Sequence, residues 1–131
     1  MCTVPDMAGV RNHEDLDAWK LCWELKERVF VFTATGPASR DFKFRDQIRS
    51  AASSAADCLS EGFYRYYSRE FARFCSMTRG SLGEIMNQLQ HAKEQNYVST
   101  SEFDEGSLLA RCAMGKTTNL LKYLLRCPPR G

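Results

Sequence analysis

Apolar residues recur along this chain at steps of three and four, the spacing of a helical face, with no run of strand-like alternation. The pattern predicts four amphipathic helices. Asn12 is the expected N-cap of the first, with Glu14, Asp15 and Asp17 in the opening turn where acidic groups suit the helix dipole. Leu16, Trp19, Trp23 and Phe30 form one apolar stripe on it, and Cys22, Leu25, Val29 and Phe32 form a second beside it, before Gly36-Pro37 stops the helix. The second helix opens near Asp41 and runs to about Glu61, ended by Gly62. Its apolar side is Phe44, Ile48, Ala51, Ala55, Leu59 and Phe63, and its small stretch from Ala51 to Ala56 allows a close helix neighbour.

Ser68 is the expected cap of the third helix, which carries Phe71, Phe74, Thr78, Leu82, Ile85, Leu89 and Ala92 at alternating steps of three and four. Gly80 and Gly83 each weaken this helix by about 1 kcal/mol relative to Ala and are read as marks of close helix packing. Asn96 is its candidate C-cap. Ser101 and Asp104 are read as a capping box for the fourth helix. Its apolar surface is supplied by Leu108, Leu109, Cys112, Ala113, Leu120, Leu121, Leu124 and Leu125, and Pro128-Pro129 end it. Short connections favour antiparallel neighbours, so the expected fold is all-α: an up-down-up-down four-helix bundle over residues 12–127. A flexible N-terminal tail, 1–11, and a C-terminal tail, 128–131, flank it. Two apolar stripes on the first helix exceed what one core needs, which points equally to self-association or to a broad face buried within the chain.

Composition narrows the class rather than the chemistry. The 131 residues fit one domain, and 44% hydrophobic with 26% charged residues is a globular balance. The longest uncharged apolar run, Val29 to Thr35, is too short to span a membrane, and Met1 to Arg11 shows neither the basic nor the apolar region of a secretory signal. A cytoplasmic protein is expected. The six cysteines include no C-x-x-C pair, so they are read as reduced thiols, with Cys22, Cys58, Cys75 and Cys112 in helical apolar patterns. Net charge is only +2, but residues 40–80 hold eight basic against five acidic side chains, while 81–110 hold Lys93 against five acids.

The residues needed for most chemistries are not in the required places. Gly115-Lys116-Thr117 ends like a phosphate-binding loop, yet Ala110 stands where that loop needs glycine. His13 and His91 belong to no Glu-x-x-His pair, so no metal or cofactor site is expected. No nucleophile motif is present, and the chain is not expected to be an enzyme. What remains is a basic and aromatic stretch: Arg45, Arg49, Tyr64, Arg65, Tyr66, Arg69 and Arg73. Guanidinium groups suit phosphates and tyrosines stack on unpaired bases. In the competing reading, Arg49 and Arg73 pair with Asp46, Glu61 or Glu70, and the tyrosines pack at the bundle end.

His13-Glu14-Asp15-Leu16 followed by Trp19, Gln47-Ile48-Arg49-x-Ala51-Ala52, and Glu61-Gly62-x-x-Arg65 form an ordered set. Ser68-x-Glu70-Phe71-x-x-Phe74 and Gly80-Ser81-Leu82-x-Glu84-Ile85-x-x-Gln88-Leu89 continue it. Across about residues 13–125 the chain thereby resembles the four-helix-bundle proteins encoded in intervening sequences of bacterial large-subunit ribosomal RNA genes. The resemblance implies an antiparallel bundle. Through the related accessory variability protein of diversity-generating retroelements, it also implies assembly as a homopentameric ring and contact with nucleic acid and a reverse transcriptase. The sequence departs from that family at Ala56 and Cys58, where proline and asparagine are common, and at Ser50, which replaces one arginine of a usual pair. The acidic run Glu102, Asp104 and Glu105 departs from a basic surface as well. The functional expectation is a non-enzymatic oligomeric scaffold or adaptor whose basic surface binds RNA, single-stranded DNA or a nucleic-acid enzyme. Its alternative is a structural protein–protein interaction module without nucleic-acid contact.

Overall fold

The computed structural model describes Met7 and residues 9–128. Helices α1 (Asp17–Phe32), α2 (Gly36–Arg40), α3 (Phe42–Phe63), α4 (Ser68–Glu94) and α5 (Thr100–Arg126) follow a single 3₁₀ turn at His13–Asp15. No strand occurs among the described residues. The protein is an all-helical bundle. The expected tails at 1–11 and 128–131 fall largely outside the described residues; within the first of them, Met7 and Val10 pack against the core.

The helix ends show which local signals act. The Asp15 carboxylate accepts from the Arg11 and Asn12 amides at 2.9 and 3.3 Å, so the Asn12 signal closes the 3₁₀ turn, and α1 itself starts one turn later with Leu16 at its N-cap. α1 ends at Phe32 with Thr33 as its C-cap, before Gly36-Pro37 is reached, and Gly36-Pro37 instead opens the short α2. Gly36 takes a φ of 70°, which turns the chain, and Pro37 sits in the first turn, where its missing N–H costs nothing. Asp41 caps α3 by accepting from the Phe44 amide at 3.2 Å. At the end of α4, Asn96 (φ 58°) provides the left-handed residue just beyond the C-cap Gln95. The Asn96 and Tyr97 amides then return to the Lys93 and Ala92 carbonyls, satisfying the last turn. The cap of α5 lies two residues before the expected pair. Ser99 Oγ accepts from the Glu102 amide at 3.0 Å, and Glu102 Oε1 accepts from the Ser99 amide at 2.8 Å. The chain is already turning at Asn96–Tyr97, so the earlier of the two in-frame Ser/acid pairs meets the helix start and Ser101 falls inside it.

α1 packs on α3 and α5, and α4 packs on the same two helices. Contacts between α3 and α4 descend along one as they ascend along the other: Gln47 to Gln88, Ser54 to Ser81, Ala55 to Thr78. The small stretch of α3 does what its composition suggests. Ala51, Ala52, Ala55 and Ala56 are buried, and the Thr78 hydroxyl reaches across to donate to the Ala55 carbonyl at 2.9 Å.

Three packing expectations are corrected. Gly80 and Gly83 face open space, with nothing within 4 Å of an added Cβ; the closely approached glycines are Gly62 and Gly106. Cys112, Leu108 and Leu125 are exposed because the buried register of α5 runs through Gly106, Ala110, Ala113, Thr117, Leu120 and Leu124. On α1 the stripe of Cys22, Leu25, Val29 and Phe32 is core together with Ala18; of the other stripe Leu16 is buried and Trp19 packs against the core, while Trp23 and Phe30 face solvent.

Candidate nucleic-acid interface

The seven expected binding residues separate into two groups. Arg45 and Arg49 lie in the first third of α3, and Tyr64, Arg65, Tyr66, Arg69 and Arg73 lie where α3 hands over to α4. From Arg49 to the last residue of α3 is about 20 Å along the helix axis, so the two groups form separate patches rather than one cluster.

The first group is committed within the chain. Arg49 Nε donates to Thr33 Oγ1 at 2.8 Å and its Nη2 to the Phe30 carbonyl at 3.5 Å, while its guanidinium lies 4.6 Å from the Phe30 ring centre. A cation on the last carbonyls of α1 complements the negative end of that helix, so Arg49 acts as a clasp between α1 and α3. Arg45 pairs with Asp46 at 3.0 Å, donates to the Ser39 carbonyl and covers the Phe42 ring.

The second group is presented outward. Arg65, Arg69 and Arg73 are exposed, and the ion pairs among the described residues (Arg28–Glu105, Arg45–Asp46 and Lys116–Asp17) include none of them. The guanidinium groups of Arg65 and Arg73 lie 4.9 and 5.6 Å from one buried ring, Phe74, which holds both at the same corner. Arg69 is one turn before Arg73 on α4. The N-cap of α4, Tyr67, supplies no side-chain acceptor, so the first amides of that helix point at the same corner with the positive end of its dipole. Tyr64, Tyr66 and Tyr67 are exposed beside them.

Sequence reasoning missed what braces this corner. Tyr64 Oη lies 3.1 Å from His13 Nδ1 and accepts from the His13 amide at 3.4 Å, and the His13 ring meets Trp19 edge-on. Trp19 in turn stacks on Trp23 at 5.0 Å. The signal was present as the over-wide apolar face of the first helix. Elsewhere the thiols of Cys22 and Cys75 are pushed up to about 12 by burial, so neither is a nucleophile near neutrality. Among the described residues no three His, Cys, Asp or Glu side chains gather as a metal site, and no helix is long and apolar enough to cross a membrane.

The family model described as the 23S rRNA-intervening sequence protein matches residues 14–117, from the 3₁₀ turn into the third quarter of α5. The chain belongs to that family. Every residue of both arginine groups lies inside the matched segment, so the corner is built on the framework of an intervening-sequence protein. No curated protein matches the chain.

Proposed function

We propose that this intervening-sequence protein is a cytoplasmic, non-enzymatic oligomeric scaffold or adaptor. In this reading it binds RNA or single-stranded DNA, or an enzyme already holding such a strand, through the α3–α4 corner. The observation that carries the reading is the convergence of Arg65, Arg69 and Arg73 at that corner, outside any ion pair among the described residues. The exposed rings of Tyr64 and Tyr66 beside them support it, since arginine with aromatic surface holds phosphates and unstacked bases without reading sequence. The α3–α4 contact order and the short connections support an antiparallel up-down-up-down arrangement of α1, α3, α4 and α5. Resemblance to ring-forming relatives supports a closed ring of five copies, in which feeble corners act together at high effective concentration.

The test is a shift or anisotropy titration with oligo(U) and oligo(dT). Binding at ~50 mM salt that weakens steeply as salt rises is expected, and Arg69→Glu with Arg73→Glu abolishes it while the mass of the assembly is unchanged. Absence of wild-type binding at ~50 mM salt overturns the electrostatic reading. A protein-only interaction module then accounts better for the molecule, favoured by the solvent-facing tryptophan on α1.

A further inference from the structure

The outward face of α1 is unlike the corner. Its middle is occupied by Lys20, Trp23 and Glu27, diametrically opposite the buried Cys22, Leu25 and Val29. Trp23 is 40% exposed and Val31 66%, and both line an open groove of about 590 Å³ with Trp19, Lys20, Glu24 and Glu27. Large aromatic side chains with a balanced set of charges describe a protein-binding surface rather than a phosphate-binding one.

We infer that this face binds the same face of a second copy, the two α1 helices crossing antiparallel about a two-fold axis beside Trp23. This rests on the self-association contained in the reading above and adds its surface and symmetry. The sequence of the face is self-complementary under that operation. A two-fold axis between Trp23 and Glu24 sets Lys20 opposite Glu27 of the partner subunit and Trp19 opposite Arg28 of the partner subunit, each contact made twice. Lys20 and Glu27 are each about 5 Å along the helix from the axis, so they meet at any crossing angle. Neither is in an ion pair within the chain among the described residues.

The charge of the whole bundle favours the same arrangement. The start of α1 lies at the basic corner, as the His13–Tyr64 contact shows. Its second half lies by the acidic start of α5, as the 2.7 Å Arg28–Glu105 pair shows. Antiparallel pairing therefore sets the basic corner of one copy beside the acidic end of the other. A ring joins two different faces head to tail, whereas this face joins itself, so the two modes are separable by copy number.

Light scattering after size exclusion, across about 5 to 500 μM, reads that number, because a single helix pair falls below the ~1,600 Å² of a standard interface and its occupancy depends on concentration. With a chain mass of 15.0 kDa, the expected result is growth toward about 30 kDa, or about 150 kDa where rings pair. Lys20→Glu and Glu27→Lys each weaken pairing about tenfold or more by bringing like charges together twice, and the double exchange restores it. The emission of Trp19 and Trp23, the chain's two tryptophans, shifts to the blue on pairing in wild type and in the double exchange alone. A mass fixed near 75 kDa at all concentrations leaves the ring intact and overturns the α1 pairing, and a mass fixed near 15 kDa overturns both. Pairing that survives either single reversal, or that the double exchange does not restore, overturns the two-fold register.

Discussion

Gly62→Ala tests whether α3 and α4 are as close at the arginine corner as the geometry requires. A Cβ at position 62 lies 2.7 Å from the Phe74 Cβ and 2.8 Å from the Phe71 Cδ1, where ordinary contacts fall at 3.4–4 Å. The Phe74 Cβ is one bond from the α4 backbone and cannot swing aside, and both rings are buried, so the helices must part by most of an ångström at this end. Such overpacking costs about 1–3 kcal/mol, of which the better helix propensity of Ala returns roughly 0.5–1. A net loss of about 1–2 kcal/mol lowers the midpoint of thermal unfolding, followed by far-UV circular dichroism, by roughly 4–8 °C. Gly80→Ala is the matched control. It has the same chemistry on a helix with nothing within 4 Å, so it stabilises by about 0.5–1 kcal/mol and raises the midpoint. A Gly62→Ala protein that melts at or above the wild-type temperature refutes the close approach. Because Phe74 also carries the Arg65 and Arg73 guanidinium groups, the same substitution should weaken nucleic-acid binding, whereas the control leaves it unchanged.

Two further outcomes concern buried and capping groups. Tyr97 Oη donates to Asp41 Oδ2 at 2.6 Å and, with the Phe44 amide, holds the Asp41 carboxyl below the usual carboxylate range. A carboxyl depressed on folding stabilises the protein above its unfolded-state pKa, and that contribution is lost as pH falls through the folded one; Tyr97→Phe therefore moves the acid-unfolding midpoint to higher pH. An unchanged midpoint in an acid titration followed by circular dichroism would count against this link. The Thr117 hydroxyl is buried with no hydrogen-bond partner among the described residues, so Thr117→Val raises stability in denaturant unfolding by roughly 1 kcal/mol, and a loss of stability would show that the hydroxyl is satisfied.

How legible these features were depends on the range of the interaction behind them. The buried run Phe71, Phe74, Thr78, Leu82, Ile85, Leu89 and Ala92 could be read from spacing because each residue repeats one vote for the same face. Asp41 and Asn96 were legible because capping depends on neighbours a few residues away. The two stripes of α1 were not separable, since periodicity shows that a face is apolar and not which helices cover it. The glycines of α4 were misread for a related reason. Gly80 and Gly62 look alike in sequence, and only the position of the neighbouring helix makes one a close approach and the other an open face. At the candidate site, Arg69 and Arg73 were legible as one helical face. The separation of Arg45 and Arg49 from them was not, because the clasp of Arg49 on Thr33 is a contact between residues distant in sequence.

The salt dependence of the proposed binding tests how the corner and the proposed assembly act together. One corner offers three guanidinium groups, so the slope of log K against log salt for a single strand is about −2, a loss of roughly 20-fold between 50 and 200 mM. A strand that engages two corners doubles the slope and loses roughly 300-fold over the same interval. In a pair related by the two-fold at α1 the corners lie at opposite ends of the bundles, about 40 Å apart if the 27 residues of α4 set the span. Oligonucleotides shorter than that span should show the shallow slope, and longer ones the steep slope. Arg69→Glu with Arg73→Glu removes binding at every length, whereas Lys20→Glu returns long strands to the shallow slope where pairing alone links the corners. A slope shallower than about −1 for wild type means that fewer than two phosphates are neutralised, and the arginine corner is then not the binding surface.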